Sequence, residues 1–175
     1  FNDSVNAEKC SILASQVNKG INDYGTYNHP VFGKIYVYET DGLGNFLLMD
    51  DANSPSLLSA PYLGYCNVND EIYQNTRRFI LSEENPYYFK GTAAKGIGSP
   101  HTGKDKIWHI SLTMQILTST DKDEITACLK MLSETHAETN FMHESFNKDD
   151  PSDFTRTWFA WANSLFAQML STLDN

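Results

Sequence analysis

The sequence has few cysteines, few positive charges and no long apolar run, and each shortage excludes a class of protein. The three cysteines, Cys10, Cys66 and Cys128, are widely spaced and form no CxxC pair, so neither a zinc knuckle nor a disulfide framework is indicated. Lys and Arg total 13 against 22 Asp and Glu, and the net charge of −9 repels nucleic acid and anionic membrane surfaces. No apolar stretch approaches the ~18 residues of a membrane span. We therefore expect no nucleic-acid or membrane partner, free buried thiols and a cytoplasmic protein.

The remaining composition is that of a globular chain with a large share of aromatic residues. Its 175 residues suit one domain with its own core. Phe, Trp and Tyr make up 13% of the residues. Aromatic rings stack on the C–H faces of sugars, but they also fill cores, and composition alone favours the core.

Apolar residues recur at helical spacing through most of the chain. The predicted helices cover 4–20, 55–65, 69–82, 107–117, 121–132 and 150–173. A capping box begins at Asp121, and Asp150 before Pro151 indicates the N-cap and first position of the last helix. That helix would carry Trp158 and Trp161 on one apolar stripe, so we expect at least one of them in the core.

The segments between the helices have a different texture. The string KIYVYETDGLGNFLLM alternates around two glycine turns and predicts a β-hairpin. Residues 85–105 are rich in Gly and Pro without a period, which predicts a long functional loop. Helices paired about a shared axis, with long loops at one end, would form an α/α barrel or part of one. Five or six helices are too few to close a six-hairpin toroid.

Several motifs for metal, nucleotide or serine chemistry fail on inspection. HExxH would need a histidine where the chain has Asn147. A phosphate loop beginning at Gly91 would need lysine where the chain has Ile97. The string GIGS does not match the nucleophile elbow GxSxG, and the five histidines show no ligand spacing. We therefore expect neither a metal nor a cofactor.

What remains is a set of acidic, amide, hydroxyl and imidazole side chains in loops. Carboxylates and amides grip sugar hydroxyl pairs, and a glycosidase needs a carboxylic acid and a carboxylate beside the scissile bond. Taken singly, each has an ordinary explanation, because Asp before a helix is usually a cap and a loop Glu is usually solvated. The set is Asp50, Asp51, Asn53, Ser99, His101, His143 and Glu144.

Four strings around these residues, in family order and spacing, resemble the C-terminal portion of glycoside hydrolase family 125. They are LLMDDANSPSLLSAPYLGY, NPYYFKGTAAKGIGSPHT, FMHESF and FTRTWFAWANSLF. The resemblance runs from about Tyr36 to Leu170. It implies an all-α fold, part of an (α/α)6 barrel with an inserted β-hairpin, in which residues 1–175 form the C-terminal part of a single catalytic domain without its N-terminal part. It also implies a metal-independent, inverting exo-α-1,6-mannosidase acting on mannose-containing oligosaccharides.

The resemblance assigns roles to individual residues. Glu144 matches the general base, and the pocket residues would be Asp50, Asp51, Asn53, Ser99 and His101. Arg77 and Arg156 either orient carboxylates or form structural ion pairs, and the structural alternative is the commoner one. The general acid of the family lies upstream of the MDDAN string, so this chain supplies none.

Two further expectations follow from the missing acid. The isolated chain should hydrolyse nothing, and it should pair with the missing part of the barrel or with itself because apolar helix faces would be open. The alternative function is a non-catalytic α-helical sugar-binding or scaffold domain, although a binder has no need of a base at Glu144.

Overall fold

The computed structural model describes residues 3–173 and is rich in helix, with short antiparallel strands between the helices. The helices are α1 (Ser4–Tyr24), α2 (Glu71–Ile80), α3 (His109–Leu117), α4 (Lys122–Glu134) and α5 (Ala160–Leu173). Three hairpins are formed by β1 (Thr26–His29) with β2 (Gly33–Tyr36), β3 (Glu39–Thr40) with β4 (Phe46–Leu47), and β5 (Tyr88–Lys90) with β6 (Lys95–Ile97). A three-stranded sheet has the order β7 (Lys106–Ile107), β8 (Ser145–Asn147) and β9 (Phe154–Thr155).

Aspartate caps fix the starts of three helices, and the helices predicted there are confirmed. Asp3, Asp70 and Asp121 each accept a hydrogen bond from a main-chain N–H in the first turn of α1, α2 and α4. The capping box at Asp121 is only half formed, because the Glu124 carboxylate turns to Ser119, Gln115 and Arg77. Its contact with Arg77 is an ion pair of 3.0 Å, which agrees with a structural role for this arginine.

The helix predicted over residues 55–65 is wrong, because this segment consists of turns. The carboxylate of Asp50 accepts hydrogen bonds from the N–H groups of Leu57 and Leu58 at 2.9 and 3.0 Å. Pro61 brings no N–H to a helical ladder. The N–H groups of Leu57 and Leu58 therefore bind a side chain, and Pro61 has no N–H to donate, so the repeating main-chain hydrogen bonds of a helix do not form.

The predicted start of the last helix is also wrong. Asp150 accepts from the N–H and hydroxyl of Ser152 and so caps a turn. The chain then pairs β9 with β8, and α5 begins only at Ala160. Trp158 and Trp161 are each 59% exposed, so the expectation that at least one of them lies in the core is wrong. The stripe does reach the core at Met169, which is fully buried.

The structure contains more strands than the one expected hairpin, and the β7–β8–β9 sheet is among those not predicted. The predicted hairpin corresponds to β3 and β4, but β1–β2 was not predicted. The segment expected to be a loop, 85–105, contains the β5–β6 hairpin. Strands of two to four residues carry too short an alternation to be read from sequence.

The core consists of two adjoining clusters that share α3. One packs α3, α4 and α5 around Phe146, and the other packs α2 and β2 around Trp108. α1 contributes no buried residue and leaves Val5, Ile12, Leu13 and Val17 exposed. The cysteines are free as expected, but only Cys128 is buried, and Cys10 is exposed.

Gly98 lets two segments of main chain approach closely. It forms an isolated antiparallel β-bridge with Ile107. A Cβ added at Gly98 would collide with the carbonyl oxygen of Lys106 and the ring of Phe89. A side chain here cannot be accommodated by rotating a flexible end, because a main-chain atom is in the way.

We expect Gly98→Ala to lower the free energy of unfolding by about 3 kcal/mol through overpacking. Gly20→Ala is the matched control, because the space around Gly20 in α1 is open and alanine favours helix by about 1 kcal/mol. Urea unfolding of the protein that carries this chain measures both. Equal effects from the two substitutions would contradict the close approach.

Candidate active site

Main-chain contacts join the three loops that carry the predicted site residues. The N–H of Ala52 donates to the carbonyl of Gly98 at 3.0 Å. Gly98 bridges Ile107, and Ile107 pairs with Phe146 between β7 and β8. Segments around residues 51, 99 and 144 thus meet at one edge of the core, although they are far apart in sequence.

Glu144 lies immediately before β8 and keeps access to solvent. Its N–H donates to the carbonyl of Thr155 at 3.2 Å, which fixes its main chain against β9. Its side chain is 16% exposed, and its Oε2 lies 3.2 Å from Nε of Arg156. The Arg156 guanidinium also lies 5.7 Å from the centroid of the Phe159 ring. A carboxylate with one cationic partner and partial exposure can accept a proton from a water molecule.

Asn163 holds the segment that leads to Glu144, and sequence reasoning missed it. Its amide accepts from the N–H of Met142 at 3.1 Å and donates to the carbonyl of the same residue at 2.8 Å. Both main-chain groups of Met142 are therefore paired with α5. No motif marks such an asparagine, because the pairing depends on the packing of α5 against a distant loop.

A second residue missed from the sequence is His109, which is fully buried at the start of α3. Its Nδ1 accepts from the N–H of His143 at 2.9 Å. Its Nε2 lies 3.1 Å from Oγ1 of Thr135, which donates its own proton to Met131 and so accepts here. Burial lowers the pKa of His109 to about 3, so the ring is neutral and carries its proton on Nε2.

Asp50 and Asp51 have different surroundings. Asp50 is fully buried, its carboxylate caps the turn at residues 57–58, and burial raises its pKa to about 7. Asp51 lies nearer the surface, where its Oδ1 accepts from the N–H and the side-chain amide of Asn53 at 3.0 and 3.1 Å. Substrate contact by these residues stays a prediction, and the geometry favours Asp51 and Asn53 over Asp50 for it.

Ser99 and His101 lie on the loop that precedes α3. Ser99 is buried, and its hydroxyl accepts from the N–H of His101 at 3.2 Å. The His101 side chain is exposed. Next to it, Thr102 accepts from the indole N–H of Trp108 at 2.8 Å, which holds the loop on the core. Their contact with substrate also stays a prediction.

An aromatic cleft of about 250 Å³ lies beside α5, and sequence reasoning missed most of it. Tyr62 and Trp161 line it, and the Tyr62 hydroxyl donates to Oε1 of Gln168 at 2.9 Å. Rings with amide and hydroxyl groups at their edges suit a sugar. A larger cavity of about 480 Å³ beside α1 contains none of the predicted site residues.

Residues 3–173 contain neither a metal-binding cluster nor a membrane-spanning helix. No group of three or more His, Cys, Asp or Glu side chains in this range is placed to hold a metal ion. No helix in the same range is long and apolar enough to cross a membrane.

Comparisons with known proteins identify the family of this chain. The family model described as metal-independent alpha-mannosidase (GH125) matches residues 2–171. This match covers nearly the whole chain and places it in a family of glycoside hydrolases. It belongs to the metal-independent α-mannosidase family GH125.

Two relatives show how much of such proteins the chain represents. It is 50% identical over 168 residues to the meiotically up-regulated gene 157 protein of Schizosaccharomyces pombe, covering 95% of this chain and 33% of that protein. It is 47% identical to a Streptococcus pneumoniae metal-independent α-mannosidase, solved in a non-productive substrate complex with α-1,6-mannobiose. That match has a TM-score of 0.94 and covers 99% of this chain and 41% of the other. The chain thus spans less than half the length of either relative.

His109→Asn tests the neutral buried histidine. The pKa of about 3 lies below the ordinary 6.5, so the unfolded chain binds more protons between these values. The resulting stability is present above pH 6.5 and is lost as the pH falls toward 3. Asparagine does not titrate and keeps an oxygen for the His143 N–H.

We therefore expect the free energy of unfolding of the wild type to fall, relative to that of His109→Asn, by about 1–2 kcal/mol between pH 6.5 and 5. Urea unfolding at the two pH values measures the difference. Parallel losses in the two proteins would contradict a neutral His109.

Proposed function

We propose that this chain carries the general base of an inverting exo-α-1,6-mannosidase that removes terminal mannose from glycans. The observation that carries the proposal is the position of Glu144 where three loops meet, partly exposed and 3.2 Å from Arg156. Family membership supports the reaction class, and the α-1,6-mannobiose bound by the S. pneumoniae relative supports the linkage.

In the proposed reaction Glu144 removes a proton from a water molecule as that water attacks the anomeric carbon. Arg156 orients the Glu144 side chain through the 3.2 Å contact between its Nε and Oε2. On the opposite side of the sugar, a carboxylic acid protonates the leaving oxygen, roughly 6.5–9.5 Å from the base. That acid would belong to the part of the relatives that this chain does not match. Asp51, Asn53 and His101 would contact mannose hydroxyls.

The proposed architecture is part of an (α/α)6 barrel in which residues 1–175 form the C-terminal part of one catalytic domain. The exposed apolar side chains of α1, together with Trp158 and Trp161, support a further packing partner. The partner would be the portion of the domain that the relatives have in addition, or a second copy of this chain.

Replacing Glu144 tests the assignment directly. In the protein that carries this chain, Glu144→Gln should lower kcat for α-1,6-mannobiose by about 10²–10⁴-fold, because the amide cannot take a proton from water. Glu134→Gln is the control, since Glu134 is an exposed residue of α4 whose carboxylate lies 3.8 Å from Nζ of Lys130. NMR should show β-mannose as the first product of the wild type. Equal kcat for Glu144→Gln and wild type would remove Glu144 from the reaction.

The alternative function is a non-catalytic sugar-binding domain, which the aromatic cleft at Tyr62 and Trp161 favours. If the protein is a binder, the Glu144→Gln variant keeps the affinity of the wild type for mannobiose, and the wild type itself releases no mannose. Calorimetric titration of both proteins with α-1,6-mannobiose separates the two functions, because only an enzyme shows turnover heat in the wild type that Glu144→Gln abolishes.

We expect the 175-residue chain by itself to release no mannose, because an inverting site without its acid lacks one of two required groups. Gel filtration should show self-association through the exposed apolar faces. Circular dichroism provides the control that the chain is folded. Mannose release by the folded monomer would contradict an acid outside the chain.

A further inference from the structure

His143 forms a bridge between the segment before β8 and the segment after β9. Its Nδ1 lies 3.1 Å from the carbonyl oxygen of Arg156. A carbonyl oxygen only accepts, so this contact is a hydrogen bond when Nδ1 carries a proton, and the same holds for Nε2 and the carbonyl of His136. The Arg156 guanidinium in turn contacts Glu144, the neighbour of His143 in sequence. We propose that His143 carries a proton on Nδ1 and is a positioning residue that holds Arg156 in place against Glu144. The inference rests on the proposed function for the role of Glu144.

The imidazole of His143 is fixed from several directions and can therefore act as a rigid support. The ring is buried and stacks on Phe154, with centroids 3.8 Å apart and planes within 6°. Its Nε2 lies 3.2 Å from both the carbonyl of His136 and the hydroxyl of Thr139. The main-chain N–H of His143 is bound to the neutral ring of His109.

Arg156 needs such a support because its own conformation is unfavourable and its side chain is open to solvent. It has φ 54°, in the left-handed region that side chains with a Cβ seldom adopt. Its side chain is 64% exposed, so packing does little to hold it. The hydrogen bond from His143 to the Arg156 carbonyl favours this backbone conformation, and that conformation directs Nε to Oε2 of Glu144.

Asparagine and glutamine separate positioning from packing. The amide nitrogen of Asn lies near the place of imidazole Nδ1, whereas that of Gln lies near Nε2. His143→Asn can therefore donate to the Arg156 carbonyl, and His143→Gln instead reaches toward His136 and Thr139. Both remove the ring that stacks on Phe154, so a packing role would affect the two variants alike.

The first readout is steady-state kinetics on the protein that carries this chain. His143→Gln should lower kcat for α-1,6-mannobiose by about 10–100-fold with KM within about twofold, because the base is misplaced while the sugar still binds. His143→Asn should stay within about threefold of wild type in both constants. Equal losses in the two variants would overturn the proposal.

The second readout does not depend on activity. Trypsin cleaves after arginine, and release of the Arg156 main chain should speed cleavage between Arg156 and Thr157 by about tenfold in His143→Gln but not in His143→Asn. Mass spectrometry identifies the site. If the wild type releases no mannose, the proposed function fails, and this cleavage alone decides whether His143 holds Arg156. Identical cleavage in the two variants contradicts it.

A wild-type measurement decides the case if neither variant folds. In protein labelled with ¹⁵N-histidine, NMR should show a proton on Nδ1 of His143 that exchanges slowly with water. An unprotonated Nδ1 would overturn the inference, since no hydrogen bond to the Arg156 carbonyl could then exist.

Discussion

The close main-chain approach at Gly98 is the constraint on which the rest of the site depends. It allows Ala52, Gly98, Ile107 and Phe146 to form a continuous series of main-chain contacts across three loops. The strands involved have two or three residues each and would not be stable alone. They persist because Ile107 and Phe146 are fully buried against α3. The hydrophobic core therefore stabilises the loops, and the loops place the polar groups.

The same core separates polar groups that maintain the fold from those that remain free for chemistry. His109 is neutral because burial lowers its pKa to about 3, and it serves as an acceptor for the main chain of His143. Glu144 follows His143 in sequence, and its side chain is partly exposed, with the exposed guanidinium of Arg156 beside it. The environment thus changes between two neighbouring residues, from the buried, hydrogen-bonded side chain of His143 to the Glu144 carboxylate, which water can reach.

Local signals in the sequence predicted what local interactions decide. Asp121 marks a helix start through contacts within one turn, and a glycine-rich turn marks the β3–β4 hairpin. The failures occur where a distant group prevails. The conformation of residues 55–65 is set by hydrogen bonds to the carboxylate of Asp50. The chain after Asp150 pairs with β8 as strand β9, and the helix begins only after that strand. The identity of the site loops was accessible through family resemblance, whereas His109 and Asn163 were not, because their partners come from other elements.

Asp50 and Asp51, the carboxyl groups on the loop beside Glu144, are both engaged in hydrogen bonds, which supports a general acid outside this chain. Asp50, with its pKa raised to about 7 by burial, has the protonation behaviour that a general acid needs. However, its carboxylate is fully buried, and both oxygens accept from main-chain N–H groups, so it cannot reach a glycosidic oxygen. Asp51 is engaged by Asn53. A raised pKa in a site loop is therefore insufficient evidence for catalysis when the geometry already assigns the group to capping a turn, and in our proposal the acid comes from the portion that longer relatives add.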